Sequence, residues 1–322
     1  MIELVALALF TYQSAFAETE VSFPGQGLTL NGTLSIPKTE RDLPAFLLLP
    51  GSGPTDRDGN QPPNFMTNVL KDLSVDLNRR GYATLRFDKR PVHRYAENWP
   101  KDMAAIAEFF SLENHLKDIE SAVGFLRAQK GVDPKRIYLV GHSEGALFAT
   151  DLGKRLGVQG MVLLGAPGRK MDVILAEQLH KNIGQLPDGK EKTTLLNDCD
   201  RAIDALKTGT SIPSGIDPRL ASLFNPSSAV LLHGYFSIDP IAEAKMFDQP
   251  VFLANGEKDV QISAELDAKP LAKAFPKATL FIIPNASHNL KELKSANDPG
   301  IAGPISPALY EALGKWLEET IR

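Results

Sequence analysis

Short, unbroken apolar runs recur along this chain, and helix-period stretches separate them. With "YATLRFD" as a further strand, the runs are "AFLLLP", "RIYLV", "GMVLLGA", "QPVFLAN" and "ATLFIIP". A run of this kind is what a strand buried on both faces requires, whereas a half-exposed strand alternates apolar and polar residues. Between the runs, Val69, Leu70, Leu73, Val75 and Leu77 recur near helical spacing, as do Leu116, Ile119, Val123, Phe125 and Leu126. "EGALFATDLGKRL" reads as a third helix. Strand, helix, strand in series implies right-handed βαβ crossovers. The expected class is α/β, with a mostly parallel central sheet flanked by helices.

Two stretches break this grammar. "VSFPGQGLTLNGTLSIP" alternates apolar and polar residues and carries turn residues at Pro24-Gly25 and Asn31-Gly32, which predicts an antiparallel hairpin. From about 171 to 247 the pattern is mostly helical, and strands resume afterwards. That stretch is expected to be a helical cap inserted between two sheet strands, where it would lid a pocket. Leu220, Leu223, Phe224, Leu231, Tyr235 and Phe236 are candidates either for an apolar wall of that pocket or for helix–sheet packing.

The start, "MIELVALALFTYQSAFAETE", has an apolar run followed by Ala15-Phe16-Ala17, an A-x-A pattern. It predicts a signal peptide over 1–17, export to the periplasm or medium, and a single domain over 18–322. No lysine or arginine precedes the apolar run, so a cytoplasmic protein is the alternative. No stretch approaches the ~20 apolar residues of a stable membrane span. A net charge of −4 without a basic stripe gives no basis for binding nucleic acid. The single cysteine, Cys199, excludes an internal disulfide and reads as a bystander thiol. Oligomeric state is not legible.

"GHSEG", residues 141–145, places Ser143 between two glycines. A buried strand enters it and an amphipathic helix leaves it, the setting of a sharp nucleophile turn. The plainer reading makes Ser143 a helix N-cap, which would need neither glycine. With "LLLPGSGPTDRDGN", "RGYATLRFDKR", "NGEKDVQI" and "NASHNLK", the chain resembles the α/β-hydrolase family. It looks most like bacterial esterases of the dienelactone-hydrolase and serine-aminopeptidase-like group. The resemblance runs from Val21 to the C-terminus and implies the α/β-hydrolase fold.

A serine hydroxyl needs a general base. Of the six histidines, His288 follows a sheet strand, in a loop of small residues. His142 adjoins Ser143, but neighbouring side chains at a strand end point to opposite faces, so it is expected beside or beneath the nucleophile. His115 and His180 fall on helices, His93 in a polar loop and His233 in the insertion. The family order is serine, acid, histidine, which places the acid after "VFLAN". Asp259 is favoured there by the resemblance, with Glu257 as its rival. Asp239 reads as a helix N-cap. The oxyanion hole would use the N–H of Glu144 and one from "PGSGP". The resemblance places the latter at Ser52, with Gly53 as the close alternative. Many relatives carry histidine where this chain has Pro50, which leaves the exact donor open.

"TDRDGN", residues 55–60, lacks the spacing of a calcium loop and reads as an internally paired loop. No metal and no cofactor is expected. The implied activity is hydrolysis of a small acyl ester through Ser143, His288 and Asp259 and an acyl-enzyme. An amidase or aminopeptidase, a thioesterase or acyltransferase, and a non-catalytic binding protein of the same fold are the alternatives.

Overall fold

The computed structural model describes residues 16–321. The expected leader therefore lies outside the described residues, apart from Phe16 and Ala17, which begin a strand. The strands are β1 (Phe16–Pro24), β2 (Thr29–Pro37), β3 (Leu43–Leu49), β4 (Ala83–Phe87), β5 (Val132–His142), β6 (Met161–Leu164), β7 (Val251–Gly256) and β8 (Ala278–Ile283). Among the described residues they form an eight-stranded sheet in the order β1-β2-β4-β3-β5-β6-β7-β8. β2 pairs antiparallel with β1 and β4, and every other pairing is parallel.

The runs in β3 to β7 are buried, as their pattern requires, whereas β8, at one edge of the sheet, buries Ile283 and leaves its other residues partly or wholly exposed. In β3, Ala45, Leu47 and Leu49 enter one apolar cluster, while Phe46 and Leu48 enter the other. β5 divides Ile137 and Leu139 from Tyr138 and Val140 in the same way. Each fully buried leucine contributes about 1.5–3 kcal/mol, so the two-sided run anchors the sheet. The helices α1 (Val69–Arg79) and α10 (Pro307–Thr320) cover one face. On the other lie α3 (Leu112–Arg127) and α4 (Glu144–Leu156).

The hairpin forms, with one difference. The chain turns at residues 25–28, where the Gly25 N–H donates to Leu28 O over 2.8 Å. Asn31 and Gly32 lie inside β2, paired with Ser22 and Val21. The partner strands on both sides take up the extended backbone that an isolated Asn-Gly would bend. The polar stretch after β4 is also more ordered than its sequence suggests. It contains a 3-10 turn (His93–Asn98) and α2 (Met103–Phe109), which Asp102 caps by accepting from two backbone N–H groups.

Between β6 and β7 the insertion is helical: α5 (Met171–Ile183), α6 (Lys190–Lys207), α7 (Pro226–Ser237) and α8 (Pro240–Met246). Asp239 caps α8 through the N–H groups of Ile241 and Ala242. Leu220, Phe224, Tyr235 and Phe236 join the apolar cluster under the sheet's helical face, and Leu223 and Leu231 pack on it. The last helix before β8 is α9 (Lys269–Ala274).

Candidate active site

At the end of β5 the chain folds back into α4 through Ser143, whose φ of 55° and ψ of −118° are strained for a residue with a Cβ. Ser143 occupies the N-cap position, yet its side chain makes no capping hydrogen bond. The two glycines have a steric cause. A Cβ on Gly145 would stand 2.2 Å from Leu49 O, and one on Gly141 would stand 2.4 Å from Gly145 O. The bare Gly141 therefore lets α4 start back over its own strand, and the bare Gly145 lets that first turn press against the end of β3.

Ser143, His142 and His288 line one cavity of about 270 Å³, together with Gly51, Ser52, Gln61 and Gln261. His288 lies past β8, and its Nδ1 is 2.7 Å from Asp259 Oδ2. The Asp259 side chain is fully buried. Its other oxygen accepts from the N–H groups of Gln261 and Ile262 at 2.8 and 2.9 Å, which locks the carboxylate in its loop. Glu257, the rival acid, is exposed and accepts from Asn285 N–H at 2.9 Å, away from the imidazole. Gly165, at the end of β6, makes room for the ring, because a Cβ there would lie 3.0 Å from His288 Cε1. Sequence reasoning passed over Gly165, since a glycine closing a strand carries no chemical signature.

His142 is buried beneath this pair. Its Nε2–H donates to the backbone carbonyl of His288 at 2.9 Å, and the two ring centroids are 5.0 Å apart. Burial pushes its pKa down to about 4, and the neighbouring His288 adds to that. It stays neutral at pH 7 and braces the His288 loop. The remaining histidines stand elsewhere. His115 is buried and bonded to Ser111 O, with its pKa pushed down to about 3 by burial. His93 meets Trp99, His180 pairs with Asp200, and His233 bonds Leu206 O.

The 51–55 loop follows β3. Ser52 lines the Ser143 cavity and also a narrower one of about 70 Å³ that again includes Ser143, with Leu147, Met171 and Ile262. Gly53 lines neither of these. It faces a larger cavity of about 520 Å³ toward the insertion, walled by Trp99, Phe110, Leu231 and Tyr235. Of the six apolar insertion residues singled out from sequence, Leu231 and Tyr235 border this cavity. Thr55 and Gln61 bind Ser52 O at 2.7 and 3.0 Å and hold the loop in shape.

The side chain of Glu144 is engaged as well. Its carboxylate is buried, 2.6 Å from Lys89 Nζ, and accepts from Tyr235 OH at 2.5 Å. Lys89 Nζ also donates to Gly51 O. Lys89 went unnoticed in the sequence because a charged residue after a strand reads as solvated surface. "TDRDGN" departs from expectation as well. Asp56 does hold the loop together, accepting from the N–H groups of Asp58 and Asn60 at 2.9 Å, but Arg57 pairs with Asp88 and Glu20, and Asp58 with Arg86, so the ion pairs tie the loop outward to β1 and β4. Among the described residues, His180, Cys199 and Asp200 bring three metal-ligating atoms within 4.8 Å of one another. The Cys199 thiol is buried and its pKa pushed up to about 11, which opposes the thiolate a metal needs.

A model of the α/β hydrolase family matches residues 46–292. The chain belongs to the α/β hydrolase family. Esterase EstD of Thermotoga maritima is 27% identical to this chain over 247 residues, which is 75% of this chain and 53% of EstD. The chain thus spans about half the length of that curated relative. Among solved structures, Est1E from Butyrivibrio proteoclasticus superposes with a TM-score of 0.59 at 17% identity, covering 94% of this chain and 98% of its own. An esterase of Pyrococcus furiosus gives a TM-score of 0.59 at 17% identity, covering 95% and 92%. At these identities the structural likeness speaks for the fold.

Proposed function

We propose that this chain is a serine hydrolase of carboxylic esters, with Ser143 as nucleophile, His288 as general base and Asp259 as the residue that orients it. The observation that carries the reading is the 2.7 Å contact between Asp259 and His288 Nδ1, with His288 lining the same cavity as Ser143 on its strained turn. The proposal adds one link, from Ser143 Oγ to the other ring nitrogen of His288. Asp259 holds Nδ1–H, so Nε2 is the nitrogen that receives the proton.

In this reading Ser143 Oγ attacks the acyl carbonyl as His288 Nε2 takes its proton. The tetrahedral oxyanion is held by the N–H groups of Ser52 and Glu144. Ser52 is preferred over Gly53 because it borders both cavities that contain Ser143. His288 then gives its proton to the departing alcohol, and water releases the acyl group by the same base. Each donor contributes on the order of 3 kcal/mol to lowering the barrier. The insertion would close over the site and set selectivity through the aromatic-walled cavity.

The esterase name of EstD favours esters over amides. A fluorophosphonate probe tests the reading: labelling that persists in Ser143→Ala, or is absent from the wild type, overturns it. A panel of p-nitrophenyl esters beside aminoacyl anilides tests the bond, and turnover of the anilides alone would make this an aminopeptidase.

A further inference from the structure

We infer that Lys89 is a positioning residue for the oxyanion hole, acting through the carbonyl of Gly51. The inference rests on the serine-hydrolase reading above. Lys89 lies two residues past β4 and is buried, with Nζ donating both to Gly51 O and to Glu144 Oε2. A trans peptide is planar, so the C=O of Gly51 and the N–H of Ser52 point to opposite sides of one rigid unit. A cation that grips the oxygen therefore fixes the direction of the N–H on the far side. Ser52 borders both cavities that contain Ser143, which is where that direction matters. The same ammonium polarises the amide and makes its N–H a stronger donor.

Lys89 also holds the other half of the hole. Its second partner is the carboxylate of Glu144, the residue whose backbone N–H is the other proposed donor. One side chain on β4's trailing loop thus ties the loop after β3 to the first turn of α4. Tyr235 OH takes the remaining Glu144 oxygen and keeps the pair from sharing its charge with solvent. A pair that served stability alone would need no bond to a loop carbonyl. It is the Gly51 contact that connects this pair to the donors.

Lys89→Met keeps the length of the side chain and removes the charge. For a p-nitrophenyl ester, kcat is expected to fall about 10²-fold, the cost of disabling one donor, while KM changes less than about threefold. Inhibition by a trifluoromethyl ketone, which forms an oxyanion on Ser143, weakens by the same factor as kcat. Binding of the corresponding alcohol, which forms none, stays as in the wild type. Because Lys89→Met strands the Glu144 carboxylate, Lys89→Met/Glu144→Gln is measured beside it. The double variant removes the stranded charge and should keep the kcat loss. Restoration of kcat in the double variant, an unchanged kcat in the single one, or equal weakening of ketone and alcohol overturns the inference and leaves the hydrolase reading intact. A wild type that neither labels at Ser143 nor turns over esters overturns both.

Discussion

The ends of β4 and β5, on either side of β3, solve the same problem in opposite ways. After β5 the chain reads Gly141-His142-Ser143-Glu144-Gly145, and its geometry is dictated by what the glycines lack. After β4 it reads Asp88-Lys89-Arg90, three consecutive charged residues that are all buried. Each takes a different distant partner: Arg57 for Asp88, Glu144 for Lys89 and Asp118 for Arg90. The first end is built by close backbone packing, the second by ion pairs that reach across the fold. A tight turn is a local property and can be read in five residues. Charge pairing is a property of the whole fold and cannot.

The sharpest way to break this contrast is at the first end. Ser143→Ala should lower kcat on esters by on the order of 10⁶-fold while leaving thermal unfolding close to that of the wild type. A mutant retaining more than about a tenth of the activity would remove Ser143 from the chemistry. At the second end the large effect is on stability. Arg90 is fully buried, with bonds to Asp118, Phe109 O and Gln26 O. Asp118→Asn leaves that guanidinium without its counter-charge, so urea unfolding should report a loss of about 3–5 kcal/mol. A loss under about 1 kcal/mol would mean that the carbonyls alone satisfy Arg90.

The third test asks whether the glycine turn is as tightly built as its contacts indicate. Gly145→Ala must push its Cβ against Leu49 O, Leu49 C and Pro50 O, which are backbone atoms at the root of the 51–55 loop. A cost of about 1–3 kcal/mol is expected, as for other overpacked sites. Activity should fall further than stability accounts for, because the displaced residues carry Ser52. Retention of full kcat would show that the end of β3 yields without moving the loop.

This contrast explains what was legible. The sheet could be read because a strand covered on both faces must be apolar at successive positions, as Phe46, Leu47 and Leu48 are. Ser143 and His288 could be singled out because each follows a strand, and strand ends converge on one edge of a parallel sheet, whereas Asp259 shares its strand end with Glu257 and is preferred only through the family resemblance. Asp259 and His288 do meet there. Lys89 could not be singled out, since its partner Glu144 lies 55 residues away and nothing near Lys89 marks it as buried. Arg57 misled for the same reason, because its neighbours Asp56 and Asp58 are adjacent carboxylates but not its partners. Asn31-Gly32 misled in the other direction, when pairing with β1 and β4 overrode a local turn preference.

His142 belongs to the first strand end by sequence and to the second by behaviour, and its titration offers the smallest and most specific test. It is held neutral by burial, with a folded pKa near 4 against about 6.5 unfolded. Between those values the unfolded chain takes up a proton that the folded chain refuses. The difference in bound protons then makes unfolding easier as pH falls, by up to ~1.4 kcal/mol per pH unit for one group. His115, depressed to about 3, acts with the same sign. In His142→Asn one of these two contributions disappears. The variant should be less stable than the wild type at pH 7.5, having lost a buried ring, yet should lose stability less steeply between pH 6.5 and 4. Its kcat should stay within about tenfold of the wild type, because it braces His288 through a backbone carbonyl and not through the nitrogen proposed to take the proton. Parallel urea-midpoint curves for the two proteins across that range would mean that the folded chain takes up the His142 proton as readily as the unfolded one.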